Sequence, residues 1–302
     1  MALTKQNIKT IAMPLAMVVG VALCRPLAIV EEVTAHTLTP ILIAAMLFIT
    51  FCRVDIRQMR LQWAHLWMLL IQFAGAAVVY YAVAPLLGET VGQGAMICVM
   101  APIAMAAVVI GGMLGGNVTM MVTYSLVCNF VTALIAPYML HAFGNGSCTF
   151  IEIIARVAPT LIAPFVAAQL CRWLLPKVAE WFATHSSLSF YLWLASLILV
   201  MGRTTAFILD TKAEPLVEIE LALVALVLCL VQFKAGRFLG RYTGDVVATT
   251  QSVGQKNTIF AIWLSLNFLD PIASIAPTAY IVWQNFVNSY QIYSYNKKQR
   301  RK

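Results

Sequence analysis

The stretch Ser252–Phe260, "SVGQKNTIF", places a lysine and four other polar side chains in a chain that is otherwise strongly apolar. Lys256 lies eleven residues after Asp245 and fourteen before Asp270. At about 1.5 Å per helical residue, the lysine is some 16 Å from the nearer charged end. Since bilayer hydrocarbon is about 30 Å thick, a spanning helix would hold Lys256 near mid-depth. A charge there costs at least about 2.5–3.5 kcal/mol unless a cavity or partner receives it, so the stretch indicates either a functional site or an unusually polar kink.

The whole chain has the composition of a polytopic membrane protein. Of its 302 residues, 61% are hydrophobic and only 11% are charged, whereas soluble domains carry roughly 25% charged residues. Apolar runs near 20 residues recur along the chain, and we predict an all-α fold of ten transmembrane helices. The predicted spans are about 8–30, 39–52, 61–86, 91–115, 118–142, 150–175, 186–209, 215–238, 246–268 and 272–294.

The distribution of basic residues predicts the orientation. With the N-terminus inside, fifteen Lys and Arg lie in inner segments, five of them in the tail, and four in outer segments. This asymmetry predicts that both termini are cytoplasmic, and we expect the protein in a plasma or inner membrane. Because the net charge of +8 is spread over loops, we predict the lipid bilayer, and no nucleic acid, as a partner.

Ten spans divide into two sets of five that enter the membrane from opposite sides. This is the plan of an inverted repeat, common in secondary transporters. We predict a first repeat over 1–145 and a second over 146–302, which ends in a short basic cytoplasmic tail. A short match links the halves: "IQFAGA" at Ile71–Ala76 and "VQFKAG" at Val231–Gly236.

Two of the predicted spans carry residues that interrupt helices. The fourth contains Pro102 followed by four glycines, and the ninth has a polar stretch, Thr249–Thr258, around Gly254. Proline removes a helix hydrogen bond and glycine weakens a helix, so both spans are expected to break near mid-depth. Interrupted helices at corresponding positions of two halves indicate a transporter binding site.

The polar residues predicted near mid-depth are the candidate site. An alternative interpretation of the amide side chains among them is that they form polar contacts between helices. The sequence contains no Cys-x-x-Cys pair, and its four histidines lie near span ends, so no metal site and no catalytic residue is predicted. The candidates for substrate binding are Lys256, Asn257, Gln284 and Asn285, and those for the helix crossover and coupling are Gln72, Ser252, Gln255 and Ser125.

Three stretches resemble the bile acid:sodium symporter family. Gly116–Leu140 is similar to the fifth helix of that family, Ser252–Asn257 to its ninth-helix crossover, and Ala276–Ser289 to its tenth helix with Trp-x-Asn. Gln72-Phe73 also fits the third helix of the family.

The resemblance implies a core of spans three, four, five, eight, nine and ten, packed on a panel of spans one, two, six and seven. Spans four and nine would cross in the core, and the core would move against the panel in alternating access. The family's substrates are organic anions, including bile acids and small carboxylates such as pantoate. By position, Asn257, Gln284 and Asn285 match substrate-contacting residues, and Gln72 matches a sodium-site residue.

The chain departs from the family at the sodium sites. Ser252 stands where the family has a carboxylate and Lys256 where it has a glutamine, while Ala107, Val108 and Met121 replace further polar residues. Among the positions that correspond to the family's sodium sites, only Gln72 and Ser125 keep a side-chain oxygen suited to bind sodium. The resemblance therefore implies that sodium is lost as a coupling ion, with no other cofactor, and that proton coupling or exchange takes its place.

The function expected from these residues and the resemblance is secondary transport of an organic anion, bile-acid-like or a small carboxylate, by alternating access, without sodium and with Lys256 in the place of the ion. A sodium-coupled symporter is the alternative within the class, and a membrane-embedded ligand sensor is the alternative outside it. An enzyme is not expected, since the sequence has neither His-Glu-x-x-His nor Gly-x-Ser-x-Gly. The identity of the substrate and the oligomeric state stay open at this point.

Overall fold

The computed structural model describes residues 15–53, 59–144, 149–185, 187–210 and 214–299. The predicted domain boundary at 145/146 and residues 8–14 of the first predicted span lie outside these ranges. The helices are α1 (15–22), α2 (Cys24–Val33), α3 (Leu38–Phe51), α4 (Trp63–Leu87), α5 (Glu89–Met100), α6 (Met105–Met113), α7 (Val118–Phe143), α8 (Phe150–Leu174), α9 (Pro176–Thr184), α10 (Ser187–Asp210), α11 (Pro215–Thr243), α12 (Val246–Gly254), α13 (Thr258–Phe268) and α14 (Ile275–Gln299), with a 3₁₀ turn at Pro271–Ser274.

Within the described ranges, five helices are long and apolar enough to cross a membrane: α4, α7, α8, α10 and α11. A sixth span results if α2 and α3, which are bent by 86°, count as one broken span. The all-helical membrane architecture is thus confirmed. The predicted fourth and ninth spans are each two shorter helices, α5 with α6 and α12 with α13, and α14 has the length to span but carries several amide side chains.

The chain forms two compact units, which we call the smaller and the larger unit. The smaller unit consists of Met1–Val54 and Ala158–Ala213, and the larger unit of Asp55–Val157 and Glu214–Lys302. The predicted spans one, two, six and seven fall mainly in the smaller unit. The other six fall in the larger unit.

In the smaller unit, α10 packs against α2 and α3. Arg25 donates two hydrogen bonds to the carboxylate of Asp210, at 2.6 and 2.7 Å, which joins α2 to the end of α10. The sharp bend between α2 and α3 is stabilised by Glu31, a fully buried carboxylate that accepts from the backbone N–H and the hydroxyl of Thr39. The backbone N–H groups in the first turn of α3 have no partner within the helix, and Glu31 accepts a hydrogen bond from one of them.

In the larger unit, α11 packs along α12 and α14, and α4 packs along α5. Gly236 on α11 allows a close approach to α12, because a Cβ atom there would lie 2.5 Å from the carbonyl oxygen of Thr249. Close backbone approach through small residues is typical of helix packing in membranes. The contact holds α12, the first half of the ninth span, against a continuous helix.

Helix α9 was not predicted as a separate element. Pro176 is its first residue and is separated from the end of α8 by Leu175 alone, since proline cannot continue a helix but suits the first helical position. The short helix is amphipathic and packs on α3, where the rings of Phe48 and Phe182 meet edge to face with centroids 5.3 Å apart.

Candidate functional site at the helix crossing

The two interrupted spans touch at their breaks. Ala104 N–H donates to the carbonyl of Gln255 (3.0 Å), and Asn257 N–H donates to the carbonyl of Pro102 (2.7 Å). These two bonds pair Ile103 with Lys256 in an antiparallel bridge. Both predicted interruptions are therefore present, and the structure brings them together.

Local sequence explains where each span breaks. Pro102 has no N–H to donate, and a proline disfavours helical backbone at the residue before it. Ala101 accordingly takes an extended conformation and ends α5. In the ninth span, α12 ends at Gly254 and Gln255 is extended, which frees the backbone groups that bond to the other break.

Lys256 is buried at this crossing with 1% of its surface exposed. Its ammonium nitrogen donates to the carbonyl of Val99 at 2.8 Å, and its backbone N–H donates to the side-chain oxygen of Gln284 at 3.0 Å. The charged group therefore reaches from the break in the ninth span to the end of α5.

Three consecutive carbonyls at the C-terminal end of α5 each receive a side-chain donor from a different segment. Gln232 donates to Cys98 at 3.3 Å, Lys256 to Val99 at 2.8 Å and Gln72 to Met100 at 2.6 Å. The end of a helix leaves four carbonyls without helical partners and carries partial negative charge. An ammonium and two amides satisfy these carbonyls, and the lysine also offsets the charge.

Two glutamine–tyrosine pairs support the crossing from opposite halves of the chain. Tyr124 O–H donates to Gln72 Oε1 at 2.9 Å. Gln232 donates to the hydroxyl of Tyr280 at 3.0 Å, and that hydroxyl donates to the carbonyl of Gly254 at 2.8 Å. Both tyrosines are buried, and the pairs lie on the third and fifth predicted spans and on the eighth and tenth.

Gln232 and Tyr280 were not among the predicted site residues. A signal for Gln232 was present, since Gln72 and Gln232 occupy the same position in the matching stretches "IQFAGA" and "VQFKAG". Tyr280 offered no such signal, because a tyrosine in an apolar helix is also typical of ordinary packing.

The predicted substrate-binding amides differ in their contacts. Asn257 caps α13, since its side-chain oxygen accepts from Phe260 N–H at 3.3 Å. Gln284 is buried and oriented by Lys256 N–H, whereas Asn285 is half-buried and donates to the carbonyl of Ile281 on its own helix. The structure thus brings Lys256, Asn257 and Gln284 to the crossing.

The remaining candidates lie close to the same break. Ser252 and Gln255 are buried, and Ser252 Oγ and Gln255 Oε1 have no hydrogen-bond partner. Ser125 is buried on α7 and its hydroxyl points to the sulfur of Met105, at 3.4 Å, at the start of α6. Buried polar atoms without partners mark positions that a water or a ligand can fill.

Three of the positions where the resemblance implies polar sodium-site residues are apolar here. Ala107, Val108 and Met121 are buried together with Tyr124 and Cys128 in one hydrophobic cluster. Alkyl groups and a thioether supply none of the hard oxygen donors that small cations prefer.

Comparison with known proteins gives the family. The sequence profile of the SBF-like CPA transporter family matches residues 10–286 of the chain. The chain belongs to this family. No curated protein matches it.

Membership of the SBF-like CPA transporter family agrees with the resemblance that the fifth, ninth and tenth predicted spans carry. Together with the long apolar helices, it makes the chain an integral membrane protein. It also indicates a secondary transporter and argues against an enzyme. The crossing lies within the matched residues.

Proposed function

We propose that this protein is a sodium-independent secondary transporter of a small organic anion, in which Lys256 takes the place of a coupling sodium ion. The observation that carries the proposal is the buried ammonium of Lys256, 2.8 Å from the carbonyl of Val99. A tethered cation there ties the two interrupted spans together and offsets the negative end of α5. A bound metal ion would have the same two effects.

The expected charge of the substrate follows from the ends of the broken helices. Helices α6 and α13 both start at the crossing, and helix N-termini carry partial positive charge. Since Lys256 offsets the end of α5, these N-termini are left to attract an anion. Asn257, Gln284 and Asn285 would orient a carboxylate by hydrogen bonds, beside an apolar body.

The mechanism that we propose is alternating access of a core against a panel, with the chain built as two inverted repeats. The division into two compact units supports it, because the smaller unit holds the spans assigned to the panel and the larger unit those assigned to the core. The paired contacts of Gln72 with Tyr124 and of Gln232 with Tyr280 support the repeat.

A sodium-coupled symporter remains the second candidate. Ser252 Oγ and Gln255 Oε1 are buried oxygens without partners, and Gln72 keeps the amide that the resemblance assigns to a sodium site. The apolar cluster around Ala107 and Met121 favours the sodium-independent mechanism.

Flux into proteoliposomes tests the proposal. Uptake of radiolabelled carboxylates, from pantoate to cholate, is measured in sodium and again in choline buffer, with and without a pH gradient. We expect uptake of at least one carboxylate at the same rate in both buffers. Lys256→Gln should abolish it and still elute as a folded protein, since glutamine removes the charge but keeps a donor.

Lys234→Gln is the matched control, because Lys234 is exposed on α11 and its loss should leave flux unchanged. Sodium stimulation of the native protein would favour the symporter instead. Full activity of Lys256→Gln would show that transport does not require the charge of Lys256.

A further inference from the structure

The smaller unit contains a cavity of about 470 Å³, lined in part by charged side chains, that has no part in the proposed transport site. Its walls are the end of α3 with Arg53, the last turn of α8 with Arg172, and one face of α9 with Pro176, Ala179 and Glu180. A volume of this size lies within the roughly 300–1,000 Å³ range of small-molecule sites.

Arg172 is held in position at this cavity. It is half-buried, and one guanidinium nitrogen donates to the carbonyl of Cys52 at 2.8 Å. A guanidinium group has five N–H donors in a planar fork, which suits the oxygens of a phosphate. The bond to Cys52 orients the group and leaves donors for a ligand.

The surroundings of the cavity are typical of the membrane surface. Trp173 and Trp181 flank it and are exposed, as are Leu174 and Leu175. Exposed tryptophans and a short amphipathic helix are characteristic of the level of the lipid headgroups. Both arginines belong to segments that the charge distribution predicts to be cytoplasmic.

The three charged side chains of the wall suggest the chemistry of the ligand. Arg53 and Arg172 together bear two positive charges, and Glu180 bears one negative charge. A phosphodiester supplies the negative group that two guanidiniums bind, and basic pockets on the cytoplasmic side commonly hold lipid headgroups. A carboxylate in the same wall complements a primary ammonium group.

We propose that this cavity binds the headgroup of a phosphatidylethanolamine-type lipid of the inner leaflet. The phosphate lies against Arg53 and Arg172, and the ammonium lies against Glu180. The methylated headgroup of phosphatidylcholine has no N–H to donate to the carboxylate, so the cavity discriminates between the two lipids. This inference is independent of the transport mechanism.

Native mass spectrometry of the full-length protein tests the proposal with defined lipids. The protein is mixed with equal amounts of phosphatidylethanolamine and phosphatidylcholine that carry the same acyl chains, and separately with inorganic phosphate. We expect more phosphatidylethanolamine than phosphatidylcholine to be retained. Retention should weaken about tenfold in Arg53→Gln and in Arg172→Gln, since each change removes a charge-assisted contact.

Glu180→Gln should remove the preference between the two lipids without removing binding. Lys177→Gln is the control, because Lys177 is an exposed cation on the same helix that does not line the cavity. Arg172→Gln also loses the hydrogen bond to the Cys52 carbonyl. Arg53→Gln leaves that bond intact, so it tests the contact with the lipid without this structural change. Equal retention of both lipids, unchanged retention in Arg53→Gln, or displacement of the lipid by inorganic phosphate would each overturn the proposal.

Discussion

Lys256 and the carbonyl of Val99 each lower the cost of burying the other. A lysine at mid-depth costs at least about 2.5–3.5 kcal/mol, and a buried carbonyl without a partner costs about 1–3 kcal/mol. Their contact at 2.8 Å satisfies the carbonyl and gives the ammonium one acceptor in the protein. Spacing along the sequence is enough to predict that Lys256 lies near mid-depth. It does not predict Val99, which is 157 residues away.

The hydroxyl of Tyr280 provides a test of a single contact at this crossing. Tyr280→Phe keeps the ring and removes the group that donates to Gly254 and accepts from Gln232. Because the carbonyl of Gly254 and an amide N–H are then left unpaired in a buried place, we expect a loss of about 1–3 kcal/mol of stability. Thermal unfolding of the purified protein in detergent measures it.

Tyr290→Phe serves as the control, since Tyr290 is exposed on the same helix. Equal unfolding temperatures for the two variants would show that the Tyr280 hydroxyl does not stabilise the crossing.

At the scale of helices, sequence was sufficient to locate the two breaks but not their contact. Pro102 and the polar residues around Gly254 predict interruptions, because their effects on the backbone are local. The pairing of Ile103 with Lys256 depends on how α4, α7, α11 and α14 place the two broken spans. That packing involves residues far apart in the chain, and helix propensity contains no information about it.

The contact between α11 and α12 depends on the absence of a side chain at Gly236. We expect Gly236→Ala to lower the unfolding temperature, because the new methyl group would lie 2.5 Å from the carbonyl oxygen of Thr249. Gly75→Ala on α4 is the matched control, since its Cβ would meet only Val99, at an ordinary 3.6 Å.

In Gly75→Ala the higher helix propensity of alanine should leave stability unchanged or raise it by up to about 1 kcal/mol. The same thermal unfolding assay compares both variants with the native protein. If Gly236→Ala were as stable as Gly75→Ala, close packing of α11 on α12 would not be required.

For the whole molecule, the charge distribution predicts the orientation in the membrane. Fifteen basic residues on one side against four on the other predict a cytoplasmic C-terminus. A protease-sensitive tag inserted at Asn145, outside the described residues, should be cleaved from the opposite side to a tag at Lys302. Cleavage of both tags from the same side would contradict the ten-span arrangement.

The tethered ammonium at the crossing has a consequence for the energetics of each cycle. A sodium ion that travels with an anion offsets its charge, whereas a lysine side chain stays with the protein, so a monovalent substrate crosses as a net negative charge. A membrane potential of 100 mV, negative inside, then favours export over import by about 2.3 kcal/mol, or roughly fiftyfold. Valinomycin-induced potassium potentials of either sign in proteoliposomes should accordingly accelerate flux toward the positive side. Flux that does not respond to voltage would instead show that the charge of the anion is compensated in each cycle, by a proton that crosses with it or by exchange for another anion.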